Sequence, residues 1–139
     1  MQNLTINTGI EEYKLNDNVT VRLNPTDPAF VKRLFDRFSE LEGKDRAWRE
    51  KLRDLKEPGE VLAAYEEEDV LFSSAVDDML GEGTCKGIAG DVSVLAMAEG
   101  APIWMNILLA IIDTMDSAIA REQKATNPKL EKYLKKYHK

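Results

Sequence analysis

Apolar and polar residues alternate in the first part of the chain, and apolar residues recur at helical spacing in the rest. Leu4 and Ile6 alternate with polar neighbours, and further strands are predicted at 12–15 and 19–23. The residues at 16–18, Asn-Asp-Asn, tolerate the left-handed conformation of a tight turn, so the last two strands are expected to form a β-hairpin. An isolated hairpin is marginal in water, so this one must pack on helices or pair with another chain.

Helical spacing begins after residues 24–28. Asp27 can cap the free N–H groups of a helix, and Pro28 suits its first position. Apolar residues from Phe30 to Leu41 then predict a helix that Gly43 ends. Over 44–56 a second, highly charged helix is expected; because its apolar stripe is narrow, we expect it to be mostly solvated. That stripe consists of Trp48, Leu52 and Leu55.

The second half of the chain predicts more helices. Residues 81–90 hold four of the eight glycines, so a loop is expected there. Helices are expected at 60–80, at 92–97, at 102–124 and from 128 onwards. We therefore predict an α+β fold that is mainly α, with an N-terminal β-hairpin followed by five or six helices. One domain is expected over 1–139, with a hairpin region at 1–26, a helical core at 27–123 and a basic tail at 124–139.

The net charge is −6, but acidic and basic residues are distributed unevenly along the chain. Residues 57–100 hold eleven acids and one base (−10), whereas residues 121–139 hold seven bases and two acids (+5). The longest apolar run, 101–112, falls short of the roughly 20 residues that span a bilayer, so a buried helix and no membrane partner are expected. Residues 1–5 show no targeting signal.

Few residues suit catalysis. The chain has one Cys and one His, so a Cys85–His138 pair would require the tail to fold back, and an enzyme is not expected. The glycine-rich stretch lacks the spacing of a phosphate-binding loop. The acids at 66–69 lack the alternate spacing of a calcium loop, so no metal and no cofactor are expected.

The acidic run and the basic tail are better candidates for partner binding. Four consecutive acids surround a helix, which is typical of a solvated face or of a docking surface for a basic partner. The tail interleaves lysines with two tyrosines, a pattern that can contact phosphates and stack bases. Because the rest of the chain is acidic, docking on an acidic partner or on a second copy is favoured over nucleic acid. The residues predicted to contact a partner are Trp48, Glu66, Glu67, Glu68, Asp69, Lys129, Lys132, Tyr133, Lys136 and Tyr137.

Four stretches carry a resemblance to a known family: 3–9 (NLTINTG), 22–31 (RLNPTDPAFV), 76–85 (VDDMLGEGTC) and 120–128 (AREQKATNP) with the Lys- and Tyr-rich end. The sequence resembles the small tail assembly chaperones of long-tailed bacteriophages and prophages of Gram-positive bacteria, which are encoded just before the tape measure protein. The resemblance spans nearly the whole chain, although these stretches are not catalytic signatures.

The resemblance implies a non-enzymatic role in tail morphogenesis. The implied partners are the tape measure protein, whose apolar helices need cover before the tail polymerises, and the tail tube protein as a second one. It also implies a location in the host bacterial cytoplasm and absence from the mature virion. Two alternatives stay open: a structural tail-completion or tube-associated virion protein, and a nucleic-acid-binding regulator that uses the basic tail. A homo-oligomer is also left open.

Overall fold

The computed structural model describes residues 1–137, apart from the side chains of Tyr133 and Tyr137. The fold is α+β and mainly helical, as predicted, with an N-terminal hairpin followed by helices. The elements are, in chain order, β1 (Glu11–Leu15), β2 (Val19–Leu23), α1 (Pro28–Asp54), α2 (Pro58–Leu80), α3 (Thr84–Ala89), β3 (Met97–Ala98), β4 (Ala101–Pro102), α4 (Ile103–Lys124) and α5 (Pro128–Tyr137).

The predicted hairpin is present. Strands β1 and β2 are antiparallel, with Tyr13 opposite Val21, and the turn residues Asn16 and Asp17 both have positive φ. The strand predicted around Leu4 is absent: residues 1–10 have no regular structure and are exposed. No strand in the described part of the chain pairs with that segment. Alternation of apolar and polar residues is therefore not sufficient to form a strand there.

The start of α1 is also as predicted, since Pro28 is its first residue and the Asp27 side chain accepts a hydrogen bond from the Ala29 backbone N–H (3.0 Å). The predicted break at Gly43 is wrong, because α1 continues to Asp54. One interior glycine costs a helix about 1 kcal/mol. Burial of Leu41 and Trp48 on either side offsets that cost.

Two predictions for residues 81–97 are also wrong. The glycine-rich stretch contains the short helix α3, whose ends are marked by Gly83 and Gly90, both with positive φ. Residues 92–97 form turns and the start of a tight β3–β4 hairpin instead of a helix, although Val94 and Leu95 are buried there. The glycines therefore end a helix instead of forming a continuous loop.

The hydrophobic core is centred on Trp104 at the start of α4, whose side chain is fully buried. Its ring stacks on Phe72 of α2 (centroids 5.4 Å apart) and meets Phe38 of α1 edge-on (6.0 Å). One tryptophan therefore joins the three long helices. The indole Nε1 is buried and has no hydrogen-bond partner among the described residues.

Candidate partner-binding groove and the predicted contact residues

An open, mainly apolar groove lies where the hairpin, α3 and α4 meet. We call it the hairpin groove; its volume is about 510 Å³. It is lined by Lys14, Leu15, Asn16, Ile88, Ala89, Val92, Ile103, Asn106, Ile107 and Ala110. Most of the lining side chains are aliphatic, and the polar ones are those of Lys14 and the two asparagines. This composition suits an apolar row of side chains with a polar border better than it suits a small charged substrate.

Gly87 brings α3 close enough to the hairpin to form this groove. A Cβ atom added at Gly87 would lie 2.1 Å from Cγ2 of Val19 in β2, a distance that real contacts do not reach. Any other residue at this position would require the Val19 side chain, the strand or the helix to shift. The side-chain amide of Asn16 lies 3.5 Å from the backbone carbonyl of Ile88, across the same junction.

Two aspartates of α2 hold the segment 81–96, which consists of α3 and the loops on either side of it and contributes residues to the groove. Asp77 accepts hydrogen bonds from the backbone N–H groups of Gly83 (3.1 Å) and Cys85 (2.9 Å). Asp69 accepts one from the Ser93 hydroxyl (2.6 Å) and one from the Val94 backbone N–H (3.0 Å). The two carboxylates thus accept hydrogen bonds from backbone N–H groups that have no partner within a helix or a strand.

Asp69 was predicted to contact a partner as part of the acidic run. Its carboxylate is instead occupied by Ser93 and Val94, 24 and 25 residues further along the chain. These bonds give Asp69 a structural role within the chain, and its contact with a partner stays a prediction. The sequence gives little indication of these hydrogen bonds, because Ser93 and Val94 are distant from Asp69 in the chain.

Trp48 also differs from its prediction. Its side chain is buried, with 5% exposed, and it contacts the ring of Tyr65 edge-on at 5.2 Å. The Arg49 guanidinium lies 4.7 Å from its ring centroid, and its indole N–H donates to Asp45 (3.3 Å). A buried Trp48 belongs to the α1–α2 contact and does not offer its ring to a partner.

The other members of the acidic run are on the surface of an unbroken α2. Glu66 and Glu67 are exposed, and Glu68 is half-buried. Burial, and then the neighbouring charge of Glu67, raises the pKa of Glu68 above its ordinary value. The charges of Lys51 and Lys44 of α1 offset part of this effect, so the like-charge repulsion within the run is only partly compensated.

The basic tail forms the helix α5. The Asn127 side chain caps it by accepting hydrogen bonds from the backbone N–H groups of Lys129 (2.9 Å) and Leu130 (3.2 Å). Lys129, Lys132 and Lys136 are exposed, and Leu130 is 57% exposed. The predictions for the Tyr133 and Tyr137 side chains, and for His138, fall outside the described residues. Among the described residues, no ion pair joins Lys129 or Lys132 to the acidic run.

Cys85 lies in α3 with 3% of its surface exposed. Burial, and then the charge of Asp77, raises the pKa of its thiol to about 12. Such a thiol is protonated at neutral pH and is a poor nucleophile. Within residues 1–137, no group of three or more His, Cys, Asp or Glu side chains is arranged to hold a metal ion.

Helix α4 is long and apolar enough to cross a membrane by length and composition alone, with a mean hydropathy of 1.5 in its most apolar window, a third of which is buried. One such helix is weak evidence, because core helices of soluble proteins pass the same test. Its inner face carries core residues, including Trp104, Leu108 and Ile111.

Comparisons with protein-family models, with curated proteins and with solved structures gave no match.

Proposed function

We propose that this chain is a non-enzymatic tail assembly chaperone of a long-tailed phage or prophage, which binds the tape measure protein during tail morphogenesis. The family comes from the sequence resemblance, and the observation that supports a binding role is the hairpin groove. A groove of about 510 Å³ that is open to solvent and lined mostly by aliphatic side chains can receive the apolar side chains of a partner helix.

The groove suits an amphipathic helix. Such helices present apolar side chains at i, i+3, i+4 and i+7, and a groove of this kind covers part of that row. Leu15, Ile88 and Ile107 offer the apolar contact, and Lys14 can pair with an acid beside the row.

The chemistry of the remaining residues favours binding over catalysis. The Cys85 thiol has a pKa of about 12 and is buried, so it is poorly suited to nucleophilic attack. Binding of the tail tube protein, a cytoplasmic location and absence from the finished virion belong to the same proposal.

The test is co-expression with the tape measure protein, the long helix-rich product expected to be encoded next to this chain. We expect a soluble complex with the unaltered chain. In a Val92→Glu/Ala110→Glu variant, both charges enter the groove from exposed positions, so recovery of the complex should fall by about tenfold or more.

The matched control is Leu109→Glu. Leu109 is exposed on the same helix as Ala110 but does not line the groove. If the tape measure protein stays insoluble and unbound with the unaltered chain, the proposal is wrong. Detection of the chain in purified particles by mass spectrometry would favour a structural virion protein instead.

A further inference from the structure

Strand β1 has one unpaired edge. It pairs with β2 on one side, and these two strands form a sheet of their own. On the other side of β1, the backbone groups of 11–14 form no backbone–backbone hydrogen bond within the part of the chain that the structure describes. A strand edge of this kind is a template for pairing with a further strand.

The hairpin groove lies beside this edge. Every residue of the β1–β2 hairpin that lines it, namely Lys14, Leu15 and Asn16, belongs to β1 or to the turn. Helix α4 contributes Ile107 and Ala110 to the same groove. A strand added along β1 would therefore lie over α4, and every second side chain of that strand would point into the groove.

The segment 1–7 has the pattern that such a strand requires. Leu4 and Ile6 alternate with the polar residues Asn3, Thr5 and Asn7, so in an extended strand both apolar side chains would point to the same face. The segment has no regular structure, and Leu4 and Ile6 are 81% and 78% exposed. Within one copy, these two side chains are therefore largely uncovered.

Hydrogen bonds hold this segment towards β2 within its own copy. The side-chain amide of Asn24, the first residue after β2, donates to the backbone carbonyl of Thr8 (2.8 Å). The Asn7 side chain accepts a hydrogen bond from the Gly9 backbone N–H (2.8 Å). The free edge of β1 is on the side away from β2, so the bond to Asn24 directs the segment away from the edge of its own β1.

We propose that residues 2–7 of one copy add as a third strand to the free edge of β1 in a second copy, with Leu4 and Ile6 in the hairpin groove of that copy. Asn3 and Thr5 then face solvent. The added strand provides the backbone hydrogen bonds that the edge of β1 lacks, and it buries both apolar side chains. Each copy has one segment and one edge, so two copies that exchange segments form a closed pair. The proposal does not rest on the chaperone function.

The test is the mass of the full-length chain alone, without an N-terminal tag, measured by sedimentation over a range of protein concentrations. We expect a species of about twice the mass of the 15.7 kDa monomer at high concentration. Leu4→Glu/Ile6→Glu should weaken association by about tenfold or more, because both charges would enter the groove. The matched control is Asn3→Glu/Thr5→Glu. It adds the same charge to the same segment on the side that faces solvent, so most of the association should remain.

A second pair of variants tests the groove. Ala110→Glu should also weaken association, whereas Leu109→Glu, an exposed neighbour that does not line the groove, should not. Residues 1–7 and both of these α4 positions are exposed, so all four variants should fold. Circular dichroism verifies this.

Hydrogen exchange of residues 2–7 tests whether the segment pairs as a strand. We expect the exchange to slow as the protein concentration rises. A monomer at all concentrations overturns the proposal, and so does association that survives Leu4→Glu/Ile6→Glu or Ala110→Glu. Equal loss with Asn3→Glu/Thr5→Glu would overturn the assignment of faces. Slow exchange in a monomer would place the segment on its own β1 and would equally overturn the proposal.

Discussion

The segment 81–96 and helix α5 are both short, but they differ in how they are ordered and in how much of their apolar surface is buried. Outside α3 the segment 81–96 has no helix or strand, yet Val94 and Leu95 within it are buried. Helix α5 is regular and capped, yet both of its leucines are exposed. Regular secondary structure is therefore no guide to which part of this molecule belongs to its core. The segment 81–96 is held in place by hydrogen bonds to the distant residues Asp69 and Asp77. Helix α5 is held by the local cap of Asn127.

The largest expected effect comes from closing the space at Gly87. We expect Gly87→Ala to destabilise the fold by about 2–3 kcal/mol, because the new methyl group would clash with Val19 in β2. Denaturant unfolding measures the change. Combining it with Val19→Ala should cost less than the sum of the two single changes, since the second removes the clashing atom.

Gly43→Ala is the control for this substitution. A Cβ at Gly43 meets nothing within 4 Å in the middle of α1, so we expect a stabilisation of about 1 kcal/mol. Equal effects at the two glycines would show that the approach of α3 to the hairpin is not tight.

The next effect is the loss of the Asp69 carboxylate. Asp69→Ala removes the acceptor for the Ser93 hydroxyl and for the Val94 backbone N–H, so the free energy of unfolding should fall by about 1–3 kcal/mol. Hydrogen exchange of the Val94 amide should also accelerate. Asp78→Ala, an exposed neighbour on α2, is the control and should change the stability by less than about 0.5 kcal/mol.

A smaller effect, of opposite sign, is expected at Glu68. Its pKa is higher in the folded protein than in the unfolded chain, so the folded state binds its proton more tightly. Stability contributed by this group is therefore present at low pH and is lost as pH rises through the unfolded and then the folded pKa. Glu68→Gln should slightly raise the melting temperature at pH 7 and lose that advantage in acid. A variant that is less stable at pH 7 would contradict this.

The smallest effect is expected in α5. Leu134→Ser should change the free energy of unfolding of the dilute protein by less than about 0.5 kcal/mol, because the side chain is largely exposed. Thermal unfolding at low concentration measures it. A cost comparable to that of Asp69→Ala would mean that α5 is part of the core after all, and the contrast with 81–96 would disappear.

Features of the sequence that act locally were predictable. The turn at 16–18 and the start of α1 at Pro28 depend on neighbouring residues, and both are where the pattern places them. Contacts between distant residues were not predictable. Trp48 belongs to a stripe that is narrow within its own helix, and only Tyr65 from α2 explains its burial. The bonds of Asp69 to Ser93 and Val94 have no signature in either stretch alone.

The candidate site follows the same division. The exposed glutamates and lysines could be named from charge alone, because they occur in runs. The hairpin groove could not, because it exists only once Gly87 has let α3 approach Val19. Its lining residues come from three separate stretches of the chain, and none of them stands out by type.

The two tryptophans give this protein two optical reporters in unlike surroundings. The indole of Trp104 is fully buried without a hydrogen-bond partner among the described residues, whereas that of Trp48 donates to Asp45 beneath the Arg49 guanidinium. An indole in an apolar site emits at shorter wavelength than one near charges and water. Replacing each in turn by Phe would therefore separate the fluorescence of the core from that of the α1–α2 contact, and show whether the two lose their structure together.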